Sequence, residues 1–203
     1  MNKKIKVESP GRINLIGEHV DYNGGSVLPG AIDKKVEFIV ENIPGNKCFI
    51  ESKTINKKFE FDFSSLEKSS EHWQNYILGT VNNLINKKNQ RISAFSCEIN
   101  SSLPIGAGIS SSSALISGLA SSLIEINNLE IKKNEIVDIV SDVEHNYIGL
   151  KGGIMDQFTI LNGQKNKLIH LECHSRNFKY VTAEFKDYQI VLLNTNVEHN
   201  LAN

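Results

Sequence analysis

No stretch of the 203-residue chain approaches the ~18 consecutive apolar residues that a membrane-spanning helix needs, so an apolar span is excluded and no membrane partner is expected. The N-terminus, Met1 to Glu8, is basic but is not followed by an apolar core segment, which argues against a signal peptide. An excess of charge is also missing: 22 Lys+Arg face 23 Asp+Glu, a net −1. That balance removes the bulk electrostatic case for a nucleic acid or an anionic surface as partner. Cysteine is scarce, with Cys48, Cys97 and Cys173 far apart and never in C-x-x-C. This excludes a disulfide framework and a cysteine zinc site, and fits reduced thiols in the cytoplasm. Arginine is scarce as well: Arg12, Arg91 and Arg176 are the only three among 22 basic residues. In a chain that otherwise uses lysine, an arginine inside a motif points to a need for its planar fork.

What is present is an ordinary globular composition, 40% hydrophobic and 22% charged, without repeats or low-complexity linkers. Val36, Phe38 and Val40 alternate within Lys34–Asn42 and predict a strand, with further short strands around Lys47–Ser52 and Lys57–Phe63. Trp73, Tyr76, Ile77, Val81, Leu84 and Ile85 recur at helical spacing over Glu71–Lys88. A strand over Ile92–Ile99, a helix over Ser110–Ile126 and a helix over Asn134–Tyr147 follow. Three late strands are expected at Leu168–Leu171, Phe178–Val181 and Gln189–Leu193. The mixture is α+β or α/β.

Two segments carry chemistry. Leu103 to Ala114 contains Gly106, Gly108 and Ser110, Ser111, Ser112 and Ser113 between a predicted strand and a predicted helix. Glycines let backbone N–H groups approach an anion, and a helix N-terminus adds free donors and a positive dipole end, so the segment can cradle a polyphosphate. It can equally be a glycine-rich turn leading into a serine N-cap. The Walker A string G-x-x-x-x-G-K-[ST], the third glycine of G-x-G-x-x-G and the protein-kinase motifs are all absent. The second segment, Gly11 to Gly25, sets Arg12, Glu18, His19 and Asp21 among four glycines. Neighbouring carboxylates can accept hydrogen bonds from vicinal sugar hydroxyls, and Arg12 can hold a carboxylate or phosphate as a fork. The same residues can also form a solvated turn.

The order of residues narrows these readings. The run Gly-Arg-Ile-Asn-Leu-Ile-Gly-Glu-His-Val-Asp-Tyr-Asn-Gly-Gly-Ser-Val-Leu-Pro, residues 11–29, resembles the galactokinase signature nearly position for position. Residues 103–114 resemble the nucleotide motif of the galactokinase, homoserine kinase, mevalonate kinase and phosphomevalonate kinase superfamily. Gly153-Ile-Met-Asp-Gln-Phe158 resembles the galactokinase segment that carries the catalytic aspartate. The resemblance implies ATP- and Mg2+-dependent phosphorylation of D-galactose at the C1 hydroxyl, giving galactose 1-phosphate and ADP. It implies Asp156 and Arg12 as the catalytic pair. Glu18, His19, Asp21 and Gly153 would bind the sugar, and Gly106, Gly108, Ser110, Ser111 and Ser112 the ATP phosphates. Ser112 and Glu144 would hold Mg2+, and Trp73 would lie near the adenine or, equally, anchor its own helix. The implied fold is a ribosomal-protein-S5-domain-2-like N-terminal domain with a left-handed βαβ unit, and the implied state a cytoplasmic monomer.

Members of that family are nearly twice this length, with a second, ferredoxin-like domain and a third, glycine-rich motif. The expected organisation is therefore an N-terminal kinase domain over 1–165 and strands leading into an incomplete C-terminal domain over 166–203. The terminus at Asn203, ten residues after the last apolar run, reads as a cut, with the family's sugar-contacting tyrosine expected just beyond it. Smaller departures from the family pattern are Leu78, Ser113-Ala114, Gly152, Glu172, His174 and Glu198. Three functions are carried forward: galactokinase with weak or no turnover by this stretch alone, a kinase of a related sugar such as N-acetylgalactosamine, arabinose or a uronic acid, and a non-catalytic sugar or nucleotide binder.

Overall fold

The alternation of Val36, Phe38 and Val40 places all three side chains on one face of a strand, where they are 3%, 0% and 0% exposed. In the computed structural model, which describes residues 3–104, 106–185, 187–188 and 190–193, that strand is the second in a five-stranded sheet. The elements in chain order are β1 (Lys4–Asn14), β2 (Ser26–Val27), β3 (Pro29–Asn42), β4 (Lys47–Ser52), β5 (Lys57–Asp62), α1 (His72–Asn82) and β6 (Phe95–Ser101). They continue with α2 (Ser111–Ile126), α3 (Lys133–Asp142), α4 (Met155–Asn162), β7 (Lys167–Glu172) and β8 (Phe178–Thr182). The large sheet has the order β1-β3-β6-β4-β5; β4 and β6 run parallel, and the other neighbours are antiparallel. A second sheet has the order β2-β7-β8. The fold is mixed α and β, as expected.

Helix α2 lies on the sheet and is buried on nearly every side, with Ala114, Ile116, Leu119, Ala120 and Leu123 fully covered. Small residues let it come close. A Cβ built on Gly118 would sit 2.8 Å from both Phe38 Cζ and Ser9 Cβ. Gly118→Ala therefore pits about 1 kcal/mol of gained helix propensity against overpacking of about 1–3 kcal/mol. The clash is expected to win, lowering the denaturation midpoint without changing the urea m-value. A second apolar cluster joins Val27, Val137, Met155, Phe158, Ile169, Leu171 and Cys173 between α3, α4 and the small sheet.

Several boundaries differ from the periodicity. β3 starts at Pro29, because Gly30 and Ala31 pair with Ile13 and Arg12 although they carry no alternation. The helix expected over Glu71–Lys88 is α-helical only to Asn82 and continues as a π-helical turn over Asn83–Lys87; α3 likewise continues as a π-helical turn over Val143–Ile148. The strand expected over Ile92–Ile99 is displaced to Phe95–Ser101 by its pairing with β3. The strand expected at Gln189–Leu193 is corrected: Ile190 to Leu193 are not in a strand, Gln189 lies outside the described residues, and an apolar run with no paired neighbour has no ladder to join. Glu198 and the segment from residue 194 onward also lie outside them.

Candidate active site

Arg12 is placed by an irregularity in the sheet. Pro10 faces Lys35 but Arg12 faces Ala31, so two steps along β1 pass four along β3. Such bulges re-aim side chains. Between them, Gly11 is where the glycine loop docks: a Cβ there would lie 2.6 Å from Leu103 Cδ2 and 3.0 Å from the Ile109 carbonyl. The Arg12 backbone N–H donates to that Ile109 carbonyl at 3.2 Å. Its guanidinium then does two things, donating from Nη1 to the Gly108 carbonyl at 2.7 Å and from Nε to Asp156 Oδ1 at 2.7 Å. The ion pair is well shielded, with Arg12 14% and Asp156 27% exposed. Charge-assisted bonds of this kind are short and strong. The second Asp156 oxygen accepts from Ser110 Oγ at 2.5 Å. Asp156 lies in the first turn of α4, where the helix dipole favours a negative charge.

The loop opposite is shaped for an anion. Gly106 and Gly108 have φ of 72° and 69°, and a Cβ on either would meet nothing within 4 Å. Residue 105, in the same loop, lies outside the described residues. Helix α2 begins without a side-chain cap, and its first bond to the loop runs from the Ala114 N–H to the Ser110 carbonyl. The N–H groups of Ser111, Ser112 and Ser113 precede that bond, at the positive end of the helix.

Glu144 is 9% exposed and sits in the π-helical turn Val143–Ile148; such turns recur at functional sites. Its Oε1 accepts from Ser113 Oγ at 2.6 Å. Asp142, two residues earlier, ties this turn to the one ending α1 by accepting from Lys87 Nζ at 2.6 Å and Asn83 Nδ2 at 2.5 Å. Burial pushes the Glu144 carboxyl up to about 7; the Asp156 charge adds to this, while the Ser113 bond and the Arg12 charge oppose it. A carboxyl raised in the folded state destabilises the fold as pH climbs from its ordinary 4.5 to about 7, a loss on the order of 3 kcal/mol. Glu144→Gln is therefore expected to melt higher than the unsubstituted protein at pH 8 in chelator, with the two melting curves converging toward pH 5.

Glu144 and the serine hydroxyls of α2 are hard oxygen donors. No group of three or more His, Cys, Asp or Glu able to hold a metal ion occurs among the described residues. One carboxylate with hydroxyls suits a cation that takes its other ligands from water and phosphates, as Mg2+ usually does. The hydroxyl on Glu144 belongs to Ser113, one position beyond the expected Ser112.

The sugar-type cluster forms the turn after β1. Asn14 Nδ2 donates to Glu18 Oε1 at 2.9 Å, and His19 Nδ1 lies 3.0 Å from the Tyr22 hydroxyl. Asp21 closes against Gly153, three residues ahead of Asp156: a Cβ on Gly153 would fall 2.5 Å from Asp21 Cγ. Gly153→Ala must push the Asp21 carboxylate away, so a fall in melting temperature is expected, from an overpacking cost on the order of 1–3 kcal/mol. An open hollow of about 460 Å3 beside this contact is lined by Asp21, Tyr22, Gly153, His174 and Arg176. A larger hollow of about 570 Å3 lies on the uncovered sheet face around Phe49, Glu51 and Glu98 and includes none of these residues.

Arg12, Gly108, Ser110 and Asp156 are thus joined directly, Glu144 through Ser113 to the same helix, and Asp21 to Gly153. Glu18 and His19 share the exposed turn with Asp21. Trp73 is packed edge-on to Phe59 at 5.1 Å in the α1–β5 layer. Residues not singled out beforehand are Gly11, whose only signal was its place in the motif, and His145. The latter's Nε2 meets the Gly152 carbonyl at 2.8 Å and braces the loop leading to Gly153.

Known proteins resemble this chain in sequence and in fold. Residues 75–164 match the family described as "GHMP kinases N terminal domain", and residues 2–41 match the "Galactokinase galactose-binding signature". The galactokinase of Thermosipho africanus (strain TCF52B) is 39% identical over 198 residues, which are 98% of this chain and 54% of the relative. The galactokinase of Thermotoga maritima is 38% identical over 199 residues, covering 98% and 55%. The crystal structure of Lactococcus lactis galactokinase complexed with galactose superposes with a TM-score of 0.86 at 33% identity, covering 92% of this chain and 49% of that one. Methanococcus jannaschii mevalonate kinase, at 22% identity and a TM-score of 0.74, shares the fold. The chain spans about half the length of the curated relatives it matches.

Proposed function

We propose a sugar 1-kinase on a premise of membership: this chain belongs to the GHMP kinases, carrying their N-terminal domain behind a galactokinase galactose-binding signature. The proposed reaction is ATP-dependent phosphorylation of galactose at C1. The observation that carries it is the double grip of Arg12. One guanidinium holds Asp156 on the acceptor side and the Gly108 carbonyl of the phosphate loop on the donor side.

In this reading Asp21, Glu18, His19 and Gly153 hold the sugar hydroxyls, and Asp156 orients the C1 hydroxyl and takes its proton. The bond from the C1 oxygen to the γ-phosphorus of ATP forms as the bond from that phosphorus to the ADP oxygen breaks. The products are galactose 1-phosphate, ADP and the proton held by Asp156. Gly106, Gly108, Ser111 and Ser112 receive the phosphates at the open end of α2. Phosphoryl transfer of this kind is mainly positioning and charge stabilisation, which Arg12 and the helix terminus supply. Ser112 and Glu144 would hold Mg2+, which neutralises phosphate charge when bound. Trp73 is assigned to packing, on the strength of its contact with Phe59. The three cysteines are free and buried, which supports a reducing, cytoplasmic setting. Among the described residues no helix is long and apolar enough to cross a membrane.

The test is galactose phosphorylation by the full-length gene product, with N-acetylgalactosamine, arabinose and galacturonate alongside. Activity on galactose that exceeds the other sugars and an Asp156→Ala control is expected; activity equal to that control would overturn the reading.

A further inference from the structure

We propose that Ser110 is a positioning residue for Asp156, a serine held in a left-handed conformation so that its hydroxyl fixes the carboxylate rather than a nucleotide phosphate. The inference rests on the kinase reading above and deepens it. Ser110 has φ 61° and ψ 44°, a region that glycine enters freely and a serine does not. The loop carries glycine at its other two described left-handed positions, Gly106 and Gly108. A strained residue at a site is reason to ask what the side chain provides there.

Its place in the chain gives a second clue. Ser110 is the N-cap of α2, where a serine normally accepts a bond from an amide of its own helix. It makes no such bond. Instead the hydroxyl, on a residue only 8% exposed, donates to Asp156 Oδ2 at 2.5 Å. With Arg12 Nε on Oδ1, each carboxylate oxygen has one donor, and the carboxylate plane is fixed against rotation. The helix N-terminus is left uncapped, its amides free for an anion. Ser110 thus serves both halves of the site without touching the nucleotide: it holds the acceptor-side carboxylate and, by turning away, opens the donor-side cradle. Its carbonyl also accepts the first α2 bond, from Ala114, so a shift of the cradle on phosphate binding is passed to Asp156 through one residue.

Ser110→Gly tests this, because glycine keeps the left-handed backbone conformation while removing the hydroxymethyl group. In the full-length kinase the expected result is a 10- to 100-fold fall in kcat, with the KM values for ATP and galactose within twofold of the unsubstituted enzyme. A tenfold rise in KM for ATP at unchanged kcat would make Ser110 a phosphate ligand and overturn the proposal, as would unchanged kinetics. If the unsubstituted protein phosphorylates no sugar, the kinase reading fails, and thermal unfolding then decides the Ser110 contact separately. Ser110→Gly should raise the melting temperature more in an Asp156→Ala background than in the unsubstituted protein, because only the latter also loses a hydrogen bond. Equal shifts in the two backgrounds would overturn it.

Discussion

Asp156→Asn is expected to lower kcat for galactose phosphorylation by roughly 10²–10⁴-fold, the usual worth of a positioned general base, while KM for ATP stays near its unsubstituted value. Asparagine keeps the shape of the side chain, but its one amide oxygen can accept from only one of the two donors aimed at Asp156; with the oxygen toward Arg12, its NH2 must donate to the Ser110 oxygen instead. What it lacks is the capacity to take a proton and the charge opposing Arg12. That arginine is 14% exposed and, among the described residues, is ion-paired with Asp156 alone, so a modest fall in melting temperature should accompany the loss of rate. A coupled ADP-release assay on the full-length protein checks the prediction. Activity within tenfold of the unsubstituted enzyme would show that Asp156 is not the base.

Arg12→Lys is expected to lower kcat/KM by about 10²-fold, the scale seen when one preorganised charged or polar donor is lost from a reacting site, and here KM for ATP should rise as well. The two effects separate it from Asp156→Asn. Lysine presents a compact ammonium on a flexible stem. It can meet Asp156 Oδ1 or the Gly108 carbonyl, but not both in the fork geometry that Nε and Nη1 provide. Releasing Gly108 loosens the phosphate loop, and releasing Asp156 frees the carboxylate. Steady-state kinetics with each substrate varied in turn will show whether both constants move. A change in kcat alone would mean that the Gly108 contact contributes nothing to nucleotide binding.

Local chemistry made part of this legible before any coordinates. Alternation located β3, β4 and β5, since each has one face buried in the core, and helical spacing located α1, α2 and α3. The structure brings Arg12 to Asp156 and Asp21 to Gly153, and no periodicity could have joined residues so far apart. The rest depends on tertiary contacts. Pro29 to Asp33 have no strand pattern and become strand because β1 lies alongside. The π-helical ends of α1 and α3, distant in sequence, are joined through Asp142, a contact no local pattern announces. Four consecutive serines look interchangeable in sequence, yet Ser110 is turned to Asp156 by its left-handed backbone while Ser113 points to Glu144 from the first turn of α2. A lone Gly11 gives no sign that Leu103 and Ile109 will close on it.

The contact between Arg12 and Asp156 spans 144 residues, and the pairing of β2 with β7 closes a loop of similar size. At roughly 5–20 residues per second, the ribosome releases the arginine on the order of 10 s before its aspartate. The β1–β3 hairpin can form early from neighbouring chain, but the closure that creates the site cannot, because it waits for α4 to be made and to dock. A translation intermediate stalled after β6 has emerged but before α4 has would hold all five strands of the large sheet and no site. Protection of the Arg12–Asp156 contact during synthesis should therefore report the docking of α4, later than any signal from the sheet.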